Sequence, residues 1–165
     1  MPIFMKAGSI EGDVAAGEHR GWVLVDSCGY SVELDEKQVR LSKKSEDDGE
    51  LMQAEQGEFE VVKPAIDRAG PKLMTWMLTG DQLDVQFDVC GGDTVADGKW
   101  RKHMTYRLEA VKLISYSMNM ADAEKGRATI TMKLQYEKLT VEHYSYGKDN
   151  PTEWRKTVSK TVSCK

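Results

Sequence analysis

The chain has 165 residues, 40% hydrophobic and 30% charged, with a formal net charge of −4. That length fits one domain with a substantial core, and the acidic balance argues against a dedicated nucleic-acid binder, which needs a basic surface. No apolar run approaches the ~18 residues of a bilayer-spanning helix, and the opening Met1-Pro-Ile-Phe-Met-Lys6 lacks the layout of a cleaved signal peptide. Membrane insertion is therefore not expected. The expected location is the cytoplasm, with any export by a route that needs no N-terminal signal.

A strand begins at Ile3 and ends at the turn Ile10-Glu-Gly-Asp13. A loop of small residues follows, and a second strand opens at Gly21-Trp22 and continues to Val25. Further on lies a charged loop, residues 43–50, with Lys43, Lys44, Glu46, Asp47, Asp48 and Glu50. Gly70-Pro71 then opens a short helix, expected over about residues 71–79. Proline loses no hydrogen bond at a first helical position. Leu73, Met74, Met77 and Leu78 share a face, and Gly80 supplies the C-terminal cap. Two turns need tertiary packing to persist, which places the helix across one end or side of the fold.

Residues 81–90 carry the cleanest strand signal. Leu83, Val85, Phe87 and Val89 alternate with Gln82, Asp84, Gln86 and Asp88, so one face is read as buried and the other as wet. Cys90-Gly-Gly-Asp93 and Ala96-Asp-Gly98 supply turn chemistry. In the long strand over residues 100–118, Met104, Tyr106, Leu108 and Ala110 share a face, and the apolar phase then slips to Val111 and Leu113. A one-residue slip inside a strand signals a bulge or bend. Residues 127–146 behave alike: Ala128, Ile130, Met132, Leu134 and Tyr136 alternate, and beyond Glu137-Lys138 the phase moves to Leu139, Val141 and His143. Two long strands that both bend are what a barrel requires. The expected fold is mostly β: a single antiparallel β-barrel domain over residues 1–147, one short helix, long polar loops, and a polar, basic C-terminal tail over 148–165.

Cys28, Cys90 and Cys164 form no CxxC pair, and their odd number argues against a disulfide framework. Cys28 and Cys90 sit in apolar strand contexts and read as buried thiols. His19, His103 and His143 fall in no HExxH or HxH pattern. No GxSxG elbow is present, residues 93–98 lack the acidic spacing of a calcium loop, and Gly91-Gly92 is too short to cradle a phosphate. No catalytic residue, cofactor or metal is expected. The tyrosines at strand spacing, Tyr106, Tyr116 and Tyr136, read as packing residues. Tyr144 and Tyr146 share one face of a strand end and, with Trp154 in the tail, are the subunit-interface candidates.

Ile10, Gly12, Asp13, His19, Trp22 and Gly29 form a pattern that resembles the first hairpin of the Hcp family, the haemolysin co-regulated proteins of the type VI secretion system. The stretch Lys63-Pro-Ala-Ile-Asp67-Arg-Ala-Gly-Pro71-Lys-Leu73 resembles the segment that opens the helix of that family. The resemblance spans roughly residues 2–146. One departure is Asp26-Ser-Cys-Gly-Tyr30, where many members carry a Ser-Trp-Ser-Trp-Gly-like run. What the resemblance implies is a structural subunit and no chemical step: a homohexameric ring with a central lumen, and rings stacked into a tube. The implied partners are a contractile sheath, a spike and effector proteins, some of them held in the lumen. The implied fate is ejection with the spike.

Charge is uneven. Residues 43–60 hold two lysines against seven acids, and residues 148–165 hold five basic residues against two acids. The acidic loop, led by Glu46, Asp47, Asp48 and Glu50 beside Lys43 and Lys44, is the expected ring-stacking element. Two rival readings stay open: a lectin-like or lipocalin-like ligand-binding barrel, which requires a pocket lined by aromatics, and a small barrel enzyme, which requires clustered titratable groups.

Overall fold

The computed structural model describes residues 2–15, 17–33, 55–56, 58–94, 100–122, 127–146 and 154–163. The strands are β1 (Ile3–Ala7), β2 (Val23–Val25), β3 (Ser27–Gly29), β4 (Val32–Glu33), β5 (Glu55–Gln56), β6 (Phe59–Pro64), β7 (Leu83–Thr94), β8 (Trp100–Asp122), β9 (Arg127–Gln135), β10 (Lys138–Tyr146) and β11 (Trp154–Ser163). Helix α1 spans Ala69–Thr79. Every strand pair is antiparallel.

Both phase slips mark places where the sheet turns. In β8, Val85 pairs with Leu108 while Leu83 pairs with Val111, so one extra residue is inserted on β8. Ala110 absorbs it at φ 53°, a left-handed conformation that L-residues avoid. Before this bulge β8 lies between β7 and β10; after it β8 pairs with β9. The slip at Glu137-Lys138 separates β9 from β10, whose Lys138 pairs with Glu109 just before the bulge. Two layers result. One runs β2-β1-β7-β8-β10-β11, the other β8-β9-β6-β3, and β8 belongs to both.

Between them lies the core, where Phe59 of β6 stacks on Phe87 of β7 with centroids 4.8 Å apart. Leu108, Ile130, Met132, Leu134 and Leu139 are fully buried around them.

Four expectations need adjustment. The barrel is an antiparallel sheet that does not close: its hydrogen-bonded path ends at β2 and β3, which do not pair. The chain itself bridges those ends through Asp26, whose N–H donates to Val62 O at 2.8 Å. Helix α1 starts two residues before the expected Pro71. Asp67 serves its first turn, with Oδ1 accepting from the Ala69 N–H at 2.8 Å. Its buried face is Ala69, Gly70, Leu73 and Trp76, while Met74 and Leu78 are exposed. The Trp76 indole N–H explains the rotation, because it donates to Asp81 O at 2.8 Å. Gly80 caps the helix as expected, at φ 68° with its N–H on Trp76 O. Residues 91–94, read as a turn, extend β7. Finally, Trp154–Ser163, within the segment read as a tail, pairs along β10 from Tyr146↔Trp154 to Lys138↔Ser163.

Candidate functional site

Asp88 lies on the β7 face read as wet, yet it is 1% exposed. Residues 8–15 and 17–22 form a strap over that face and cover Asp88. Gly12 is needed there, because a Cβ would lie 2.4 Å from Trp22 O. The strap is closed by the Gly12 N–H on Gly21 O at 2.8 Å and the Gly21 N–H on Val14 O at 2.9 Å. That closure delivers His19 onto the sheet, where its ring stacks on Phe4 at 4.4 Å and meets the Trp22 ring edge-on at 4.8 Å.

The His19 Nε2 lies 2.8 Å from Asp88 Oδ2. Thr105 Oγ1 and Gln86 Nε2 donate to Asp88 Oδ1 at 2.8 and 3.0 Å, and Lys102 Nζ stands 3.3 Å from Oδ2. Burial opposes ionisation of this carboxyl. The hydrogen bonds from His19, Gln86 and Thr105 and the Lys102 charge outweigh that cost and bring it down to about 2. Asp88 is therefore an acceptor at neutral pH, so His19 Nε2 carries the proton.

A second buried carboxylate continues the network on β10. Glu142 accepts from Arg107 Nη1 at 2.7 Å and from the Tyr144 hydroxyl at 2.8 Å. Lys102 Nζ sits 5.5 Å from the Tyr144 ring centroid, within cation–π range. Burial pushes the Tyr144 hydroxyl above its ordinary value; its bond with Thr105 and the Arg107 charge oppose the rise, and Glu142 adds to it.

The strap also reaches the helix. Asp13 Oδ1 accepts from Arg68 Nε at 2.8 Å, and Oδ2 accepts from the Arg68 backbone N–H at 3.3 Å. Beside it Lys63 is fully buried, with Nζ donating to Pro64 O at 2.6 Å and 3.8 Å from Asp67 Oδ2. Burial lowers its pKa, and Asp67, Asp13 and Asp26 hold against that drop. The two stretches singled out in the sequence, around residues 10–22 and 63–73, thus touch through Asp13 and Arg68.

These groups position backbone and have no poised nucleophile among them. Burial pushes the Cys28 thiol up to about 11. Burial, with Asp88 and Glu18 adding and Lys102 opposing, pushes the Cys90 thiol up to about 12, so both stay protonated at neutral pH. Among the described residues no group of three or more His, Cys, Asp and Glu is placed to hold a metal.

Of the expected interface residues, Tyr144 is buried within the subunit at 4% exposure. Tyr146 and Trp154 are paired in the backbone register of β10 and β11. Lys43, Lys44, Glu46, Asp47, Asp48 and Glu50 lie outside the described residues. Sequence reasoning missed Asp88 and Glu142 as buried acids. It also missed several exposed apolar side chains. After its bulge β8 carries Met118 at 54% and Met120 at 69% exposure, and Ile66, just beyond β6, is 84% exposed. Met118 pairs with Ile130 and Lys63 pairs with Ile130 on the other side, so Met118 lies on the face that Ile130 turns to the core. The signal was present in the strand phase, since Tyr116, Met118 and Met120 alternate.

The sequence profile of the family described as "Type VI secretion system effector, Hcp" matches residues 4–143. A comparison with curated proteins gives no match. Among solved structures, one described as a type six secretion system protein superposes with a TM-score of 0.77 at 17% identity, covering 98% of this chain and 94% of that one. A type VI secretion system effector from Yersinia pestis gives 0.69 at 18% identity, with 98% of each chain covered. Hcp1 from Salmonella typhimurium gives 0.70 at 13% identity, with 98% and 93% covered.

Proposed function

The chain belongs to the Hcp family of the type VI secretion system, and from that premise we propose that it is a structural subunit of the secretion tube. Copies assemble as hexameric rings, the rings stack, and the stack is ejected with the spike after the sheath contracts. Effectors travel in the lumen. No chemical step is involved, and the partners are further copies of the chain, sheath, spike and effector proteins.

The observation that carries assembly over ligand binding is where the apolar surface sits. The interior between the layers is filled by Phe59, Phe87, Leu108 and Leu134, which argues against a ligand-holding barrel. The open groove beside β3 is lined by Ser27, Cys28, Gly29, Tyr30, Glu58 and Glu60, so its lining carries one aromatic ring. Apolar side chains are instead presented outward at Met118, Met120 and Ile66, as expected of a contact surface. Stacking is assigned to the acidic 43–50 loop against the basic 148–165 segment of another ring, a pairing that would steer register. Such attraction weakens with salt.

Sedimentation velocity tests both contacts. Met118→Ser with Met120→Ser is expected to dissociate rings to monomer. Reversing Glu46, Asp47, Asp48 and Glu50 to lysine is expected to leave rings intact and abolish stacking. Assembly that ignores both sets of substitutions, and salt, contradicts the reading.

A further inference from the structure

The strap, residues 8–15 and 17–22, buries little apolar surface. Among its described side chains only His19 is buried, while Ile10, Val14 and Trp22 are half-buried. Its arms are tied to each other by Gly12 to Gly21, Gly21 to Val14 and Trp22 to His19, so they move together. At its base the Gly8 N–H donates to Asp84 O of β7 at 3.1 Å, and two side-chain ties lie further along. At one end His19 meets the buried Asp88 at 2.8 Å, and at the other Asp13 holds Arg68 at 2.8 Å.

We propose that this strap is a clasp that opens as one local unit, shut by His19 on Asp88 and by Asp13 on Arg68, and that its opening loosens the start of helix α1. Segments with few buried apolar contacts open below the global unfolding limit. Here the bond from His19 to Asp88 is charge-assisted, which makes it stronger than a neutral one, and opening returns a buried carboxylate to water. The groups that face Asp88 are His19 on the strap, Gln86 on β7, and Lys102 and Thr105 on β8. Glu18 of the strap and Asp88 both act on the neighbouring Cys90 of β7. Arg107, Glu142 and Tyr144 stand next in the network, on β8 and β10. Because the folded Asp88 carboxyl is held below its unfolded value, its contribution is complete above about pH 4. It is lost as pH falls toward about 2. Acid therefore weakens the clasp and neutral pH keeps it shut. The helix end follows because the Arg68 amide and guanidinium both rest on Asp13.

Amide hydrogen exchange on the full-length chain at pH 7 tests this. In Asp88→Asn and in His19→Gln, the amides of Gly12, Gly21 and Trp22 are expected to exchange about tenfold faster or more, with β9 unchanged. In Asp13→Ala, the Arg68 amide is expected to gain exchange rate while β7 and β9 keep theirs. If Asp88→Asn fails to fold, the wild-type chain in low denaturant decides: the strap amides must open at lower denaturant than those of β9. Strap amides that exchange in step with β9 overturn the clasp. An Arg68 amide indifferent to Asp13→Ala overturns its coupling to the helix.

Discussion

Residues on either side of Ala110 share strand β8 and live in different surroundings. Before it, β8 lies between β7 and β10: Leu108 enters the core on one face, and on the other Thr105 is buried at Asp88 under the strap while Arg107 and Glu109 are exposed. After it, β8 pairs with β9 among the described residues, and Met118 and Met120 stand in solvent. Where the strap covers that second face, the polar groups it buries must be satisfied, which is why Asp88, His19, Thr105 and Lys102 converge there. A strand covered on one side keeps apolar side chains for something else to cover. The first half thus serves the subunit's own interior, and the second is the half that the proposed ring contact would cover.

The largest break in this contrast is expected at Asp88. Asp88→Ala removes the buried carboxylate that His19 and Lys102 both face and is expected to cost about 3–5 kcal/mol, read by urea unfolding. Leu108→Ala is expected to cost about 3 kcal/mol by cavity formation, while Met118→Ala changes monomer stability by less than about 0.5 kcal/mol. Equal losses at these two positions would erase the distinction between the halves. Acid gives a third measure: stability is expected to be steady above about pH 4 and to fall by roughly 2 kcal/mol through the Asp88 transition near pH 2. Asp88→Asn should flatten that step.

At the boundary itself, Ala110→Val is expected to cost about 2 kcal/mol, because a β-branched side chain resists φ 53°. Ala110→Gly should be neutral or gain up to about 1 kcal/mol, the relief of φ strain offsetting added chain entropy. The smallest effect is expected at the exposed pair of Lys138 with Glu109, 3.4 Å apart. There Lys138→Ala should change stability by less than about 0.5 kcal/mol.

The turning points of the sheet were legible in the sequence because burial imposes alternation, and alternation records its own interruption. The slip after Ala110 and the break at Glu137-Lys138 both correspond to real corners. The cap at Gly80 was legible for a local reason as well, its positive φ. Asp88 was not legible as a buried group. It looks like any outward strand residue until His19, 69 positions away, is laid over it. The helix face was misread by one step because Met74 and Leu78 are apolar yet exposed, while Trp76 turns inward to reach Asp81 O. Closure of the sheet depends on whether β2 and β3 pair, and alternation within each strand carries no information about that.

The native mass of the assembled particle is the most direct test of the tube-subunit reading. Native mass spectrometry at neutral pH and low salt is expected to give a species of six times 18.6 kDa, appearing as annuli in negative stain, and Met118→Ser with Met120→Ser should reduce it to one copy. A folded chain that stays a monomer at high concentration would contradict the reading.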